Sequence, residues 1–366
     1  MERAHNFFAG PAALPLEVLK KAQEELLDFK GTGCSVMELS HRSKQFQTVI
    51  DEAEADLKKI LGLGDDYSVL FLQGGATHQF IMLAMNALHD GDEADYIVSG
   101  KWASRAFEEG GLQGKANLVA TSENLEKKFS ALPEVKKENM NPNAKYLHFT
   151  SNNTIFGTQS FDYPKPLEGV GLVCDMSSDF LSHKFDASKF DMIYAGAQKN
   201  IGPAGVTVVV IKKSWAEKTF TKKLPKTLDY NFQIKKGSMF NTPACFNIYI
   251  TGLVFKWVLG LGGLEGTEKR NREKSEAIYG MIDAYPDFFT GYIKNKAHRS
   301  WMNVCFNLPN AELEAKFIAE ATAKNMLGLK GYRDLGGIRA SMYNSTSPES
   351  VKALVDFMDD FRKRNI

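Results

Sequence analysis

The sequence predicts an α/β protein: a large domain on a mostly parallel sheet with helices on both faces, and a small α+β domain at the C-terminal end. Three observations carry this. Apolar runs of strand length recur at 69–72, 94–98, 118–121, 146–150, 170–174, 192–195 and 206–210 with helical or loop segments between them, an alternation that belongs to parallel sheets with crossovers packed on their faces. With 366 residues and 43% hydrophobic content, the chain is long enough for one large core and a smaller second one. The pattern then breaks at Gly260-Leu261-Gly262-Gly263, beyond which a charged helical stretch precedes further strands and helices. The expected boundaries are 16–263 for the large domain and 1–15 with 264–366 for the small one, to which the N-terminal residues return.

Each element has its own signal. Asn6 to Pro11 is an extended, turn-ending opening, and Pro15 at a first helical position precedes Leu16, Leu19, Ala22, Leu26 and Phe29 at helical spacing, predicting one helix with those five on its core face. A polar loop through Glu38-Leu39-Ser40-His41-Arg42 leads to a second helix burying Phe46, Val49, Ile50, Ala53, Leu57 and Ile60. The strand Val69–Leu72 runs into Gly74-Gly75-Ala76-Thr77 and a helix through Met82 and Met85. Glycines there let backbone amides approach an anion, which the free N–H groups of a helix start favour by about 0.3–1 kcal/mol per charge. The same strand-Gly-Gly-helix arrangement also serves simple tight packing.

The strand Ala94–Val98 ends at Ser99-Gly100 with Lys101-Trp102 just beyond, and Tyr146–Thr150 leads into the polar loop Ser151–Thr158, where Asn152 and Asn153 read equally well as turn formers. Lys212 to Lys236, rich in Lys and Thr, reads as a solvated helix and loop. Thr242-Pro243 has the form of a helix start before the apolar stretch Ile248–Leu261. A linking helix is expected over Leu264–Ala284, a strand over Trp301–Phe306, a helix over Ala311–Lys324, a strand over Ile338–Tyr343, and a closing helix through Phe361 capped by Ser347-Pro348-Glu349-Ser350.

Composition excludes several classes. Forty-five Lys and Arg against 44 Asp and Glu give a formal charge of +1, which argues against a polyanion-binding surface, so nucleic acid is not an expected partner. Cys34, Cys174, Cys245 and Cys305 are far apart with no CxxC pair, so neither a metal site nor a disulfide framework is suggested, and reduced thiols in a cytoplasm fit better. Met1-Glu2-Arg3-Ala4-His5 begins no apolar signal segment and no run approaches the length of a membrane span, so a protein off the membrane is expected. Neither GxGxxG nor GxxxxGK[ST] occurs, which weakens the nucleotide-binding alternatives, a dehydrogenase among them.

Chemistry concentrates at Lys199. It lies between the apolar run Met192–Ala195 and the β-branched run Val206–Val210, in a turn carrying Gly196, Gly202, Pro203 and Gly205. Asp175 lies at the end of another expected strand, 24 positions earlier (199 − 175), and strand ends are where open α/β sheets bind ligands. An amine beside a strand-end carboxylate is what pyridoxal phosphate needs: the amine condenses with the aldehyde, and the carboxylate keeps the pyridine nitrogen protonated.

Asp175, Gln198-Lys199 and the glycine-rich turn after them resemble the phosphoserine aminotransferases, a class V branch of the fold-type I enzymes dependent on pyridoxal 5'-phosphate, and the likeness runs from Asn6-Phe7 to the final helix. The resemblance implies a seven-stranded large-domain sheet of the aspartate aminotransferase kind. It also implies a reversible amino transfer from glutamate to 3-phosphohydroxypyruvate, giving O-phosphoserine and 2-oxoglutarate in serine biosynthesis, with pyridoxine biosynthesis an open second use. Lys199 would join the cofactor and shuttle protons in a ping-pong cycle, with Asp175 at the ring nitrogen, Trp102 stacked on the ring, Thr154 at its 3-hydroxyl, and Ala76, Thr77 and Gln198 also cofactor-binding. Asn241 and Thr242 would reach the cofactor phosphate of a neighbouring subunit, implying a homodimer with shared sites. Arg339 would hold the α-carboxylate, and His41, Arg42, Tyr332 and Arg333 the distal anion.

Two departures from the resembling enzymes stand out: Tyr332-Arg333 where many bacterial members have His-Arg, and Ala76-Thr77 where others have Gly-Arg. A cysteine desulfurase of the same fold would need an exposed nucleophilic cysteine, whereas Cys305 sits in an apolar alternating run. A protein that merely stores the cofactor would have no use for Arg42, Arg333 and Arg339.

Overall fold

The computed structural model describes residues 3–366, so the parts of the N-terminal expectations that fall on Met1 and Glu2 lie outside the described residues. The chain opens with β1 (His5–Asn6), α1 (Leu16–Glu24) and α2 (Lys44–Leu61). The sheet-forming part follows: β2 (Tyr67–Leu72), α3 (Gly75–Ala87), β3 (Glu93–Val98), α4 (Lys101–Gly111), β4 (Lys115–Thr121), β5 (Tyr146–Thr150), β6 (Gly171–Asp175), β7 (Met192–Gly196) and β8 (Thr207–Lys212). Next come α5 (Lys213–Thr219), α6 (Tyr230–Lys236), α7 (Cys245–Gly260) and α8 (Gly263–Ala284). The chain ends with β9 (Thr290–Gly291), β10 (Asn303–Asn307), α9 (Ala311–Ala323), β11 (Met326–Leu327), β12 (Ile338–Ser341) and α10 (Pro348–Arg364).

The seven-stranded sheet has the order β2-β8-β7-β6-β5-β3-β4. The pairs from β7 through β4 are parallel and β8 is antiparallel to both its neighbours, so the expected α/β class with a mostly parallel sheet holds. Successive side chains alternate between two cores. Val69, Phe71, Val208 and Val210 face one in which α2 and α7 bury Phe46, Ile50, Ile248 and Val254; Leu70, Leu72, Val209 and Ile211 face the other, covered by Phe80, Leu83, Trp215 and Tyr230. Gly252 lets α7 close on α2, since a Cβ there would stand 3.2 Å from that of Ala53.

A third core joins Phe7, Ile278, Val304, Phe306, Phe317, Ile338, Leu354 and Phe361, around the antiparallel sheet β12-β10-β9. β1 pairs in parallel with β11, His5 opposite Met326, which brings the N-terminal segment to this core. Helix α8 touches both large and small cores, through Leu264 and Ile278 respectively. Ser347 caps α10 by accepting the Ser350 amide at 3.1 Å.

Several expectations are corrected. Helix α1 stops at Glu24 and buries Val18 and Ala22, whereas Leu16, Leu19 and Leu26 are exposed at 42%, 37% and 39%, because the nine-residue helix turns its i, i+4 pair and not its leucines inward. The stretch 212–236 is two short helices, not one solvated helix and loop, and it buries Trp215, Ala216, Phe220 and Tyr230. Thr242-Pro243 precedes the start of α7, whose cap is Ala244. No single helix among the described residues is long and apolar enough to cross a bilayer.

Candidate active site

Lys199 follows β7 in a turn fixed by backbone bonds, Ala197 N–H to Val206 O at 3.0 Å and Gly202 N–H to Ala197 O at 2.8 Å. Glycine is required at 202, where a Cβ would collide with Thr251 Oγ1 of α7. From this turn the Lys199 ammonium donates to Thr154 Oγ1 at 2.6 Å and lies 5.6 Å from the centre of the Trp102 ring. Thr154 is buried in the loop after β5, and its carbonyl accepts from Arg339 Nη1 of β12 at 3.0 Å. The N-terminal segment closes another side. Ala12 N–H donates to Gln198 O at 2.9 Å, and Gly10, at φ +135°, lies so close that a Cβ would stand 3.0 Å from Lys199 Cγ.

Asp175 is the last residue of β6 and is buried. Its Oδ1 accepts from the Ser177 amide at 2.9 Å and the Ser177 hydroxyl at 2.6 Å, and among the described residues no hydrogen bond reaches its other oxygen. Burial raises the Asp175 carboxyl above its ordinary value, against the Ser177 bonds and the Lys199 charge that hold it down. Burial likewise lowers Lys199 from 10.5 to about 8; Asp175 opposes this, Arg339 adds to it and Asp179 opposes it. An amine so placed is neutral far more often near pH 7 than a solvated lysine, as a nucleophile or base requires.

The sequence did not single out the groups behind this pair. Asp179, buried and pushed up to about 7 by desolvation, accepts from Ser151 Oγ and from Gln159 at 3.2 Å. His148, in the middle of β5, is lowered to about 3 by burial, bonds to the Tyr194 hydroxyl at 2.7 Å and stacks on that ring. Asn200, next to Lys199, accepts from the Asn344 amide at 2.8 Å and so joins the turn to the small core's side of the site. Asp179 had a readable signal in its four-residue spacing from Asp175; Gly10 had none, its partner lying 189 positions away (199 − 10).

The remaining residues fall in three places. Ala76 and Thr77 open α3, Thr77 exposed, behind Gly74 and Gly75 in left-handed conformation. Tyr332 and Arg333 occupy the loop before β12, with Arg339 Cζ 5.8 Å from the Tyr332 ring, while the Arg333 side chain is 84% exposed with Nε 3.3 Å from Asp334. His41, Arg42, Asn241 and Thr242 have no bond to Lys199, Asp175 or Arg339; Arg42, Asn241 and Thr242 are exposed. Among the described residues no cluster of three or more His, Cys, Asp or Glu side chains is placed to hold a metal ion.

The sequence pattern of the family described as Aminotransferase class-V matches residues 4–354. A phosphoserine aminotransferase of Desulfatibacillum aliphaticivorans is 51% identical over 365 residues, 99% of each chain. The solved phosphoserine aminotransferase of Bacillus circulans subsp. alkalophilus superposes with a TM-score of 0.94 at 45% identity, covering 100% of both chains. The PLP-bound phosphoserine aminotransferase of Trichomonas vaginalis superposes at 0.90 with 36% identity, over 98% of this chain and 100% of that one. With strand-end aspartate, turn lysine and whole-length likeness in agreement, the chain belongs to the phosphoserine aminotransferases of the class-V aminotransferase family.

Proposed function

We propose that the protein moves an amino group reversibly between glutamate and 3-phosphohydroxypyruvate, giving 2-oxoglutarate and O-phosphoserine in serine biosynthesis, with pyridoxal 5'-phosphate carried on Lys199. The observation that carries this is one half-buried amine, lowered to about 8 and bonded to Thr154, whose charge is coupled to a buried aspartate that keeps an oxygen free. These residues fit the cofactor: the free oxygen of Asp175 suits a pyridinium N–H, and the opening amides of α3 suit a phosphate. The PLP-bound Trichomonas vaginalis relative supports the same reading.

When bound, the cofactor supplies a protonated ring that accepts the electrons left when the substrate Cα–H breaks. Lys199 would hold the cofactor through its amine and, when neutral, would serve as the base for the substrate Cα proton, a role its lowered pKa makes feasible near neutral pH. Asp175 would hold the proton at the ring nitrogen, Trp102 would fix the ring plane, and Thr154 would hydrogen-bond the ring hydroxyl. Ala76 and Thr77 would offer amides and a hydroxyl to the phosphate, and Gln198 would also bind the cofactor. Arg339 grips the α-carboxylate with its planar guanidinium. Tyr332 and Arg333 meet the distal phosphate or carboxylate. Because donor and acceptor use one site in turn, ping-pong kinetics follow.

A homodimer with shared sites is part of the proposal. It is supported by the exposed Arg42, Asn241 and Thr242, which make no hydrogen bond to this chain's own lysine, and by the exposed apolar side chains Leu16, Leu19, Leu26, Leu27 and Met37. The division into 16–263 and 1–15 with 264–366, and a cytoplasmic location from the cysteine usage, are proposed with it. A Cys305 nucleophile is disfavoured, since burial raises that thiol to about 12. The test is a half-reaction: O-phosphoserine, and not alanine, should abolish the visible absorption of the loaded enzyme. An equal response to alanine, or none to O-phosphoserine, overturns the assignment.

A further inference from the structure

We propose that Lys101 is a positioning residue for the distal end of the substrate: its ion pair with Asp334 ties the loop carrying Tyr332 and Arg333 to the start of α4, beside Trp102. This deepens the reading above and rests on Arg333 being a distal-anion contact.

The base of the loop is secured by its own backbone. Gly331 N–H donates to Gly337 O at 2.9 Å, and Leu335 and Gly336 N–H to Tyr332 O at 2.9 and 2.8 Å. Tyr332 and Leu335 also pack against the apolar cluster of Val98, Phe129, Ile155 and Phe156. None of this holds the tip. Among the described residues the tip's ion pair to another element is Asp334 with Lys101, which joins positions 233 apart in sequence. The Lys101 ammonium also stands 5.7 Å from the Tyr332 ring centre, and Arg339 Cζ lies 5.8 Å from that centre. Asp334 is shared: its Oδ1 lies 3.3 Å from Arg333 Nε, and the Lys101 bond, more than Arg333, holds its carboxyl below the ordinary range.

The consequence is an order of support. Arg333 is 84% exposed, so a guanidinium meant for an anion would lose rotamer freedom on binding. Asp334 sets the direction of Arg333 Nε, and Lys101 sets the position of Asp334. With two cations and one anion at the tip, a formal charge of +1 (2 − 1) remains to meet the substrate's distal group. The same ammonium over the phenol supplies positive charge next to Tyr332, which carries none itself.

The experiment uses the loaded enzyme and steady-state kinetics with O-phosphoserine as donor, on Lys101→Met, Asp334→Asn and the double variant. Both side chains are partly exposed, 40% and 34%, so the variants keep the fold, which the bound cofactor's absorption verifies. Each single change should raise KM about fivefold, near 1 kcal/mol at about 1.4 kcal/mol per tenfold, with kcat within about twofold. The double variant should be no worse than either single. A lowered KM for Asp334→Asn would make Asp334 a competing counter-ion and overturn the proposal. So would additive effects in the double variant, or variants indistinguishable from the parent. If these fail while Arg339→Lys still raises KM, only the tie is lost; if Arg339→Lys is silent as well, the underlying substrate reading fails.

Discussion

Replacing Lys199 with methionine is expected to stabilise the cofactor-free protein while abolishing transfer. Lys199 is held at about 8 in the fold against 10.5 when solvated, so between those values the folded chain binds fewer protons than the unfolded one, and stability rises with pH across that window. Below about pH 8 the full penalty for keeping the ammonium partly desolvated is present. The 2.5 pH units involved (10.5 − 8) correspond to about 3.4 kcal/mol at about 1.36 kcal/mol each. Loss of the 2.6 Å bond to Thr154 returns about 1 kcal/mol of that, leaving a net gain of about 2 kcal/mol at pH 7. For a chain of this size that is a rise of roughly 3 °C in Tm. The assay is thermal and urea unfolding of both proteins, freed of pyridoxal phosphate, at matched concentration from pH 7 to 10.5. The advantage of the variant should be largest at pH 7 and shrink steadily above pH 8. A variant no more stable than the parent at pH 7, or an advantage that does not diminish with pH, would refute the reasoning.

Other expectations test separate parts. Arg339→Lys should raise KM for glutamate about tenfold or more, since a single ammonium cannot reproduce a two-point contact worth roughly 1.4 kcal/mol extra; initial-rate kinetics check it. Phe317→Ala removes a fully buried ring set 4.9 and 5.1 Å from Phe357 and Phe361, and should cost about 3–5 kcal/mol in urea unfolding. Asp283, held at about 2 chiefly by two 2.8 Å bonds from Arg299, contributes stability that is present above 3.8 and lost as pH falls toward 2. Asp283→Asn should therefore lower stability by about 1–2 kcal/mol at neutral pH, with the difference vanishing in acid-unfolding curves below about pH 2.

Strands were legible because β2, β3 and β5 to β8 are buried on both faces and bounded by turn residues, so their positions needed no tertiary information. Helix α1 was not: its leucines keep helical spacing, yet that spacing cannot say whether the core of this chain or a second chain receives them. The segment 212–236 misled for the opposite reason, its many lysines masking Trp215, Phe220 and Tyr230, whose burial depends on α3 folding against them. At the site, Lys199 and Asp175 could be read because local glycines and strand ends frame them. The bond from Lys199 to Thr154 joins residues 45 apart and Asn344 meets Asn200 across 144; such contacts leave no local trace, so His148, Gly10 and Asn344 became visible only in three dimensions.

The pairing of His5 with Met326 also dictates a schedule. As a ribosome releases the chain, the first strand must wait for 321 more residues (326 − 5) before its mate exists, while the central sheet can assemble from what has already emerged. Gly10 and Ala12, which follow that strand and close on the lysine's turn, are therefore anchored from their N-terminal side only once residue 326 is available.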